Sequence, residues 1–256
     1  MNLDLDKRVV EFYKSPSQKI RVLSEDWVNK EAYCPNCGNV RLNKYSNNKP
    51  VADFFCGSCN EDFELKSKRD SWGKKIVDGA YETMLRRLRS QNNPNLFLLN
   101  YDWDSLEVSN LLVVPKHYFV PDIIEERKPL SPNAERAHWI GCNILLRMIP
   151  DSGRIFLVKN KHVEPKEKVF SAWKKTLFLR QEKEMKAKGW LLDVMRYVEK
   201  LGKKEFILND VYTFEQELKM LHPCNRHIKD KIRQQLQLLR DRGYIQFIDK
   251  GRYRLT

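Results

Sequence analysis

The sequence predicts a mixed α/β (α+β) domain followed by a winged helix-turn-helix. Three observations carry that prediction. Strand-like runs and helical patterns share the chain to about residue 182. Beyond it, three helical patterns precede a short two-stranded ribbon. Near the front, two Cys-x-x-Cys pairs flank a stretch with hairpin character. The 256 residues suffice for two ordinary domains, taken here as 1–182 and 183–256.

In chain order, residues 1 to 30 place Val9, Val10, Phe12, Tyr13, Ile20, Val22, Leu23 and Trp27 in a helical pattern. One or two helices packing on the first sheet are expected. Residues 39 to 49 are polar and loop-like. The arms Val51 to Phe55 and Phe63 to Leu65 flank Cys56-Gly57-Ser58-Cys59, a hairpin with a knuckle at its tip. Ser71 to Gln91 then reads as a helix with Val77, Ala80, Tyr81, Met84 and Leu88 on one face. Strands are expected over Leu96–Tyr101, Val108–Pro115, His138–Leu146 and Arg154–Lys159. A helix carrying Val169, Trp173 and Leu177 along one side closes the domain.

Gln181 to Lys188 reads as a linker or as the opening of the next helix. Trp190 to Leu201 is amphipathic. A second helix, capped by Asn209 with Asp210 complementing its dipole, runs to Leu221. His227 to Arg242 forms a third. Tyr244–Ile248 and Tyr253–Leu255 form the ribbon around Asp249-Lys250-Gly251.

The formal net charge is +13 and the isoelectric point about 9.4, which calls for a polyanionic partner. The basic residues are spread through folded-looking sequence and no basic amphipathic anchor occurs, so nucleic acid is expected and a membrane is not. No run approaches the roughly 20 apolar residues of a membrane span. The first residues, Met1 to Lys14, lack a signal-peptide core, which makes a cytoplasmic protein the expectation.

Cys34, Cys37, Cys56 and Cys59 follow C-x2-C-x18-C-x2-C, the spacing of a structural four-thiolate Zn²⁺ site. Unrelated reduced pairs, or a redox site, are the weaker readings. Such a closed site has no open position for catalysis. It would instead tie the 34–37 loop to the hairpin.

That hairpin carries Asp53 on one arm and Glu64 and Lys66 on the other. Side chains two apart in a strand share a face, so Glu64 and Lys66 point together. With Asp53 beside them, two acids and an ammonium could hold a hard cation such as Mg²⁺ and hydrolyse a phosphodiester. A solvated charged face is the plainer alternative.

In the last helix Ile228, Ile232, Leu236 and Leu239 form the buried stripe. Arg226, Lys229, Arg233, Gln234 and Gln237 lie elsewhere, a face suited to reading a major groove. An ordinary solvated face is the alternative. Lys250, Arg252 and Arg254 would let the ribbon grip phosphates. Trp139 reads as core from the sequence, or as a platform for a modified base. The five histidines show no ligand spacing and read as structural or phosphate-facing.

The pattern resembles the DpnI-type methyl-directed restriction endonucleases, a PD-(D/E)xK nuclease family with a C-terminal winged helix. The likeness runs through Ser17-Gln18-Lys19, Glu25-Asp26-Trp27-Val28, Tyr33-Cys34-Pro35-Asn36-Cys37-Gly38 and Pro50-Val51-Ala52-Asp53-Phe54. It continues in Phe63-Glu64-Leu65-Lys66-Ser67-Lys68, Asp78-Gly79-Ala80-Tyr81, Trp139 to Ile144, Gly153 to Val158 and the stretch around Lys231 to Gln237. His138 stands where the resemblance leads one to expect glycine.

The resemblance implies a type II enzyme cutting duplex DNA at G-A-T-C when the adenine carries an N6-methyl group. It implies Mg²⁺ held by Asp53, Glu64 and the Leu65 carbonyl, with Lys66 assisting the attacking water. It also implies that Trp139 contacts the methyl groups and that the winged helix reads the same methylated sequence again. A monomer is expected in the absence of DNA. The rivals are a repair or structure-directed nuclease of the same fold that ignores methylation, and a non-enzymatic zinc-containing DNA-binding regulator.

Overall fold

The computed structural model describes residues 1–46, 52–90 and 92–256. Pro50 and Val51 of the expected hairpin arm, and Gln91 at the end of the expected helix, lie outside the described residues. After a short 3-10 turn at Lys7–Val10 comes α1 (Pro16–Glu31), with proline in its first turn, where a missing N–H costs nothing. Leu23, Trp27 and Val28 face inward from α1, and Val10 joins them. Phe12 and Tyr13 do not share the expected apolar face. They lie between the turn and α1, and Phe12 is 93% exposed.

Next come β1 (Asn43–Lys44), β2 (Phe54–Phe55) and β3 (Asp62–Arg69). Phe54 stands opposite Phe63 and Phe55 opposite Asp62, so the expected hairpin is present. Phe63 stacks on Phe97 at 4.6 Å between ring centres, and both are fully buried. Truncating such an aromatic costs about 3–5 kcal/mol.

The helix expected over residues 71 to 91 is half strand: β4 (Lys75–Ala80) precedes α2 (Tyr81–Arg89). In β4 burial alternates, with Ile76 and Asp78 in and Val77 and Gly79 out. That is period two, and pairing with a distant strand overrides the local helical spacing. Then follow β5 (Asn95–Asp102), β6 (Glu107–Val114), β7 (Ile124–Glu126), β8 (Gly141–Leu145), β9 (Ile155–Lys159) and β10 (His162–Val163). The helix α3 (Lys166–Lys175) holds Val169 and Trp173, whereas Leu177 falls in the 3-10 turn beyond it.

The main sheet has the order β1-β2-β3-β5-β6-β9-β10, with β3 and β5 parallel. A smaller sheet runs β4-β8-β7. The main sheet is covered on both sides, which explains the unbroken apolar run of β5. On one side Phe97 and Leu99 pack with α1, α3 and the knuckles. On the other, Leu96 and Leu98 pack with the smaller sheet and α2.

The last segment begins with α4 (Met185–Lys200), so residues 185 to 188 open a helix rather than extend a linker. It continues through β11 (Glu205–Ile207), α5 (Leu208–Tyr212), α6 (Glu215–Leu221), α7 (Ile228–Asp241), β12 (Ile245–Asp249) and β13 (Arg252–Leu255). Two expectations fail here. Asn209 is not the cap: α5 starts after Ile207, whose N–H donates to the Asp210 carboxylate at 2.9 Å. The second helix is broken between Tyr212 and Glu215, and β11 adds a third strand to the ribbon in the order β11-β13-β12. Ile228, Ile232, Leu236 and Leu239 are buried as expected. Trp190, Leu191 and Met195 of α4 belong to the same apolar core as Leu96, Leu98 and Leu112 of the main sheet. Among the described residues, no helix is long and apolar enough to cross a membrane.

Candidate active site and metal centre

The two knuckles are near copies of one another. Gly38 N–H donates to the Cys34 carbonyl at 2.9 Å, and Asn60 N–H to the Cys56 carbonyl at 2.8 Å. Each of these residues follows the second cysteine of its pair and takes a positive φ, +80° and +57°. Glycine and asparagine tolerate that conformation. The result brings all four sulfurs within 4.8 Å of one another, with Cys34–Cys59 at 3.6 Å and Cys37–Cys56 at 3.5 Å. A tetrahedron of thiolates about 2.3 Å from Zn²⁺ has edges of about 3.8 Å, whereas a disulfide needs about 2.05 Å. The spacing fits a shared ion and not two disulfides. These four cysteines could hold zinc.

The second knuckle is anchored by Glu61, which lies directly behind it. Its carboxylate is buried, yet meets Arg180 at 2.8 Å, Lys116 at 3.1 Å and the Asn95 amide at 2.9 Å. Burial raises the Glu61 pKa, but Asn95, Arg180 and Lys116 outweigh it and hold the group below its usual range. Nothing in the sequence around Glu61 signals this role.

Beyond Phe54 the hairpin ladder becomes irregular. Asp53 N–H still donates to the Phe63 carbonyl at 2.9 Å, while Leu65 N–H donates to the Asp53 carboxylate at 2.7 Å. Asp53 is thereby fixed against the backbone between Glu64 and Lys66. A residue's N–H and C=O point to the same edge of a strand, so the Leu65 carbonyl is directed to the side on which Asp53 sits. Burial raises the Asp53 carboxyl, opposed by the Leu65 N–H and by the Lys66 charge. Glu25 of α1 raises it further. Glu25 is itself buried, held by Arg21 at 2.6 Å and Lys44 at 2.7 Å.

Glu64 and Lys66 share a face and meet at 2.7 Å. The Lys66 ammonium also reaches Asp78 of β4 at 2.9 Å. Burial lowers the Lys66 pKa, but Glu64 and Asp78 more than reverse this and lift it well above its usual value. Lys66 is therefore held as a cation. Burial also raises the Glu64 carboxyl, against the pull of Lys66. Sequence reading missed Asp78 as a site residue because only the pairing of the smaller sheet brings it here.

Lys66 stands opposite Leu98, and Leu98 opposite Leu112, so the three share one face of the sheet. Leu112 lies two strands away, roughly 10 Å at ~4.8 Å per strand. It floors a cleft of about 630 Å³ lined by Lys74, Arg147, Arg154 and Lys159. Among the described residues Lys74, Arg147 and Lys159 form no ion pair.

Trp139 precedes β8. It is half-buried and belongs to neither apolar core, against the sequence-only reading. Its ring lies on Gly141, where a Cβ would approach it to 2.7 Å. His138 has φ +63°, a conformation that glycine takes without strain. Gly141 pairs with Ala80, two residues beyond Asp78 in the same strand.

On the winged segment Lys229, Arg233, Gln234 and Gln237 are exposed on α7, while Arg226 is exposed just before it. Lys229 pairs with Glu215 at 3.4 Å, Arg233 with Asp230, and Arg252 with Glu205 at 3.4 Å. Among the described residues Arg226 and Lys250 have no ion pair. Of the histidines, His117 is buried and His222 meets Asp193 at 2.9 Å, while His138, His162 and His227 are exposed.

A mixed α/β body with a four-cysteine cluster, joined to a winged helix-turn-helix, has the architecture of a DNA-binding protein. The family model for DpnI, described as the Dam-replacing family, matches residues 1–182, and that of the Dam-replacing HTH domain matches residues 186–255. The chain belongs to the DpnI, or Dam-replacing, family.

Proposed function

We propose that this chain is a Mg²⁺-dependent, methyl-directed type II restriction endonuclease cutting duplex DNA at G-A-T-C containing N6-methyladenine. Residues 1–182 would cut and residues 183–256 would read. The observation that carries the proposal is the placement of Asp53 on the Leu65 amide, between a Glu64 and a Lys66 that touch one another.

Asp53, Glu64 and the Leu65 carbonyl are hard oxygen donors and suit Mg²⁺, while the four cysteines are soft and suit Zn²⁺. When bound, Mg²⁺ acidifies water and offsets phosphate charge. Asp53 and Glu64 fix the donor oxygens, each oriented by a neighbour that restricts its rotation. Lys66, kept protonated, steadies negative charge on the attacked phosphate rather than taking a proton. The Lys74–Arg147–Lys159 cleft continues the same face and suits the duplex backbone. Trp139 offers an apolar surface to the adenine methyl groups. In the reader, Gln234 and Gln237 suit adenine edges, Arg226, Lys229 and Arg233 suit guanines or phosphates, and Lys250 and Arg252 suit the flanking backbone.

The test uses matched methylated and unmethylated G-A-T-C duplexes with Mg²⁺. Cleavage of the methylated duplex alone is expected, and Trp139→Ala is expected to narrow that preference. Equal cleavage of both would leave a nuclease that ignores methylation. Binding without cleavage would leave a regulator.

A further inference from the structure

The Lys66 ammonium is shared by two carboxylates, Glu64 at 2.7 Å and Asp78 at 2.9 Å. The two are not equivalent. Glu64 is a metal ligand in the reading above, on which this inference rests, and an ion bound there competes with Lys66 for the Glu64 oxygens. Asp78 is fixed differently. Its side chain is only 6% exposed, and Oδ1 also accepts the Gly79 N–H at 2.8 Å. Its other oxygen, Oδ2, is buried without a hydrogen-bond partner among the described residues. The backbone around it is held by β8, where Cys142 faces Asp78. Asp78 thus has a set rotamer and, among the described residues, a single cationic partner at ion-pair distance.

We propose that Asp78 is a positioning residue that retains Lys66 when Glu64 passes from the lysine to the metal. With Asp78 present, Glu64 can release Lys66 without stranding a half-buried ammonium, since a charge left unpaired in such a place is costly. Without Asp78, Lys66 has Glu64 alone and holds it against the incoming ion. Asp78 therefore acts on metal affinity through Lys66, besides any direct attraction of its charge for the ion.

A double-mutant cycle separates the two routes. Mn²⁺, a hard-cation probe that thiolates bind poorly, is titrated calorimetrically into the zinc-loaded full chain without DNA. The variants are Asp78→Asn, Lys66→Met, the double variant and Glu64→Gln, each checked for zinc content and thermal midpoint. Asp78→Asn is expected to weaken Mn²⁺ binding roughly tenfold, within the coupling that touching charged groups show. In the Lys66→Met background the same change is expected to have less than half that effect on a logarithmic scale. Single-turnover cleavage by Asp78→Asn should fall, and be partly recovered at high Mg²⁺ or by Asp78→Glu.

An equal loss of Mn²⁺ affinity in both backgrounds would overturn the proposal, leaving Asp78 as a remote charge. If Glu64→Gln leaves Mn²⁺ binding unchanged, the metal assignment itself fails and the partner exchange falls with it. Should Asp78→Asn not fold, Asp78→Ser, which leaves room for water, carries the same cycle.

Discussion

The Glu199 carboxylate on α4 accepts the backbone N–H of Asp151 at 2.5 Å, joining the C-terminal helical segment to the mixed α/β body. Its second oxygen accepts the Tyr244 hydroxyl, and Ser152 N–H adds a longer bond at 3.3 Å. One acid thus stitches α4, the turn before β9 and the turn between α7 and β12. A hydrogen bond to a charged group is worth about 1.5–3 kcal/mol. Glu199→Ala is expected to cost about 2–3 kcal/mol. Calorimetry should show a lower and broader transition.

The catalytic assignment predicts a separation of cutting from holding. Asp53→Ala and Lys66→Ala should reduce single-turnover cleavage by about a hundredfold or more, the usual cost of losing a transition-state contact. Duplex affinity, which the proposal assigns to the basic cleft and the winged helix, should change by no more than about threefold. Gel-shift titration beside quenched-flow cleavage measures both. A variant cutting at the normal rate sinks the assignment.

Stripping metal from the cysteines should disable cutting indirectly. The second knuckle joins β2, with Asp53 just before it, to β3, with Glu64 and Lys66, so its collapse frees the hairpin. Chelation under reducing conditions, or Cys37→Ser, is expected to lower the thermal midpoint and abolish cleavage even in excess Mg²⁺. Affinity through the winged helix should survive. Cobalt substitution, read by its thiolate absorption, counts the sulfur ligands.

Salt dependence discriminates among the cations. Each phosphate neutralised contributes about 0.9 to the slope of log affinity against log salt. Among the described residues Arg226 and Lys250 have no carboxylate to leave, whereas Lys229, Arg233 and Arg252 must first abandon Glu215, Asp230 and Glu205. Arg226→Ala and Lys250→Ala should each flatten the slope by about 0.9, with smaller effects from the paired three. Neutralising Lys74, Arg147 and Lys159 together should remove about 2 to 3.

His117 sets an acid limit. Its Nδ1 accepts from Arg180 at 3.4 Å, which leaves Nε2 to donate to Thr176 at 3.0 Å in the neutral ring. Burial, followed by Arg180, Lys188 and Lys116, holds the imidazole well below its usual range. The unfolded chain takes up a proton below about pH 6.5 that the folded chain refuses. Stability should therefore fall as pH drops below about 6.5, by up to about 1.4 kcal/mol per unit, and stay level above it. Thermal midpoints at pH 5.5 and 7.5 check this, and His117→Gln should flatten the difference.

Much of the candidate site's geometry was legible because it is local. Four cysteines at short spacings, and an acid–x–lysine on a strand, need only chain geometry to declare themselves. Asp78 needed β8, more than sixty residues away, to settle β4 as a strand. Without that partner Val77, Ala80 and Tyr81 mimic a helix. The three-residue β11 was invisible for the same reason, since its strand character comes from β13. Trp139 misled in the other direction. A tryptophan beside an apolar run suggests core, yet here the run turns inward at Gly141 and leaves the ring at its rim.

Because Trp190, Leu191 and Met195 are seated in the same apolar interior as the sheet's Leu96 and Leu98, the sheet and the C-terminal helices are one casting. Loosening that shared interior should therefore move both halves together, not one alone.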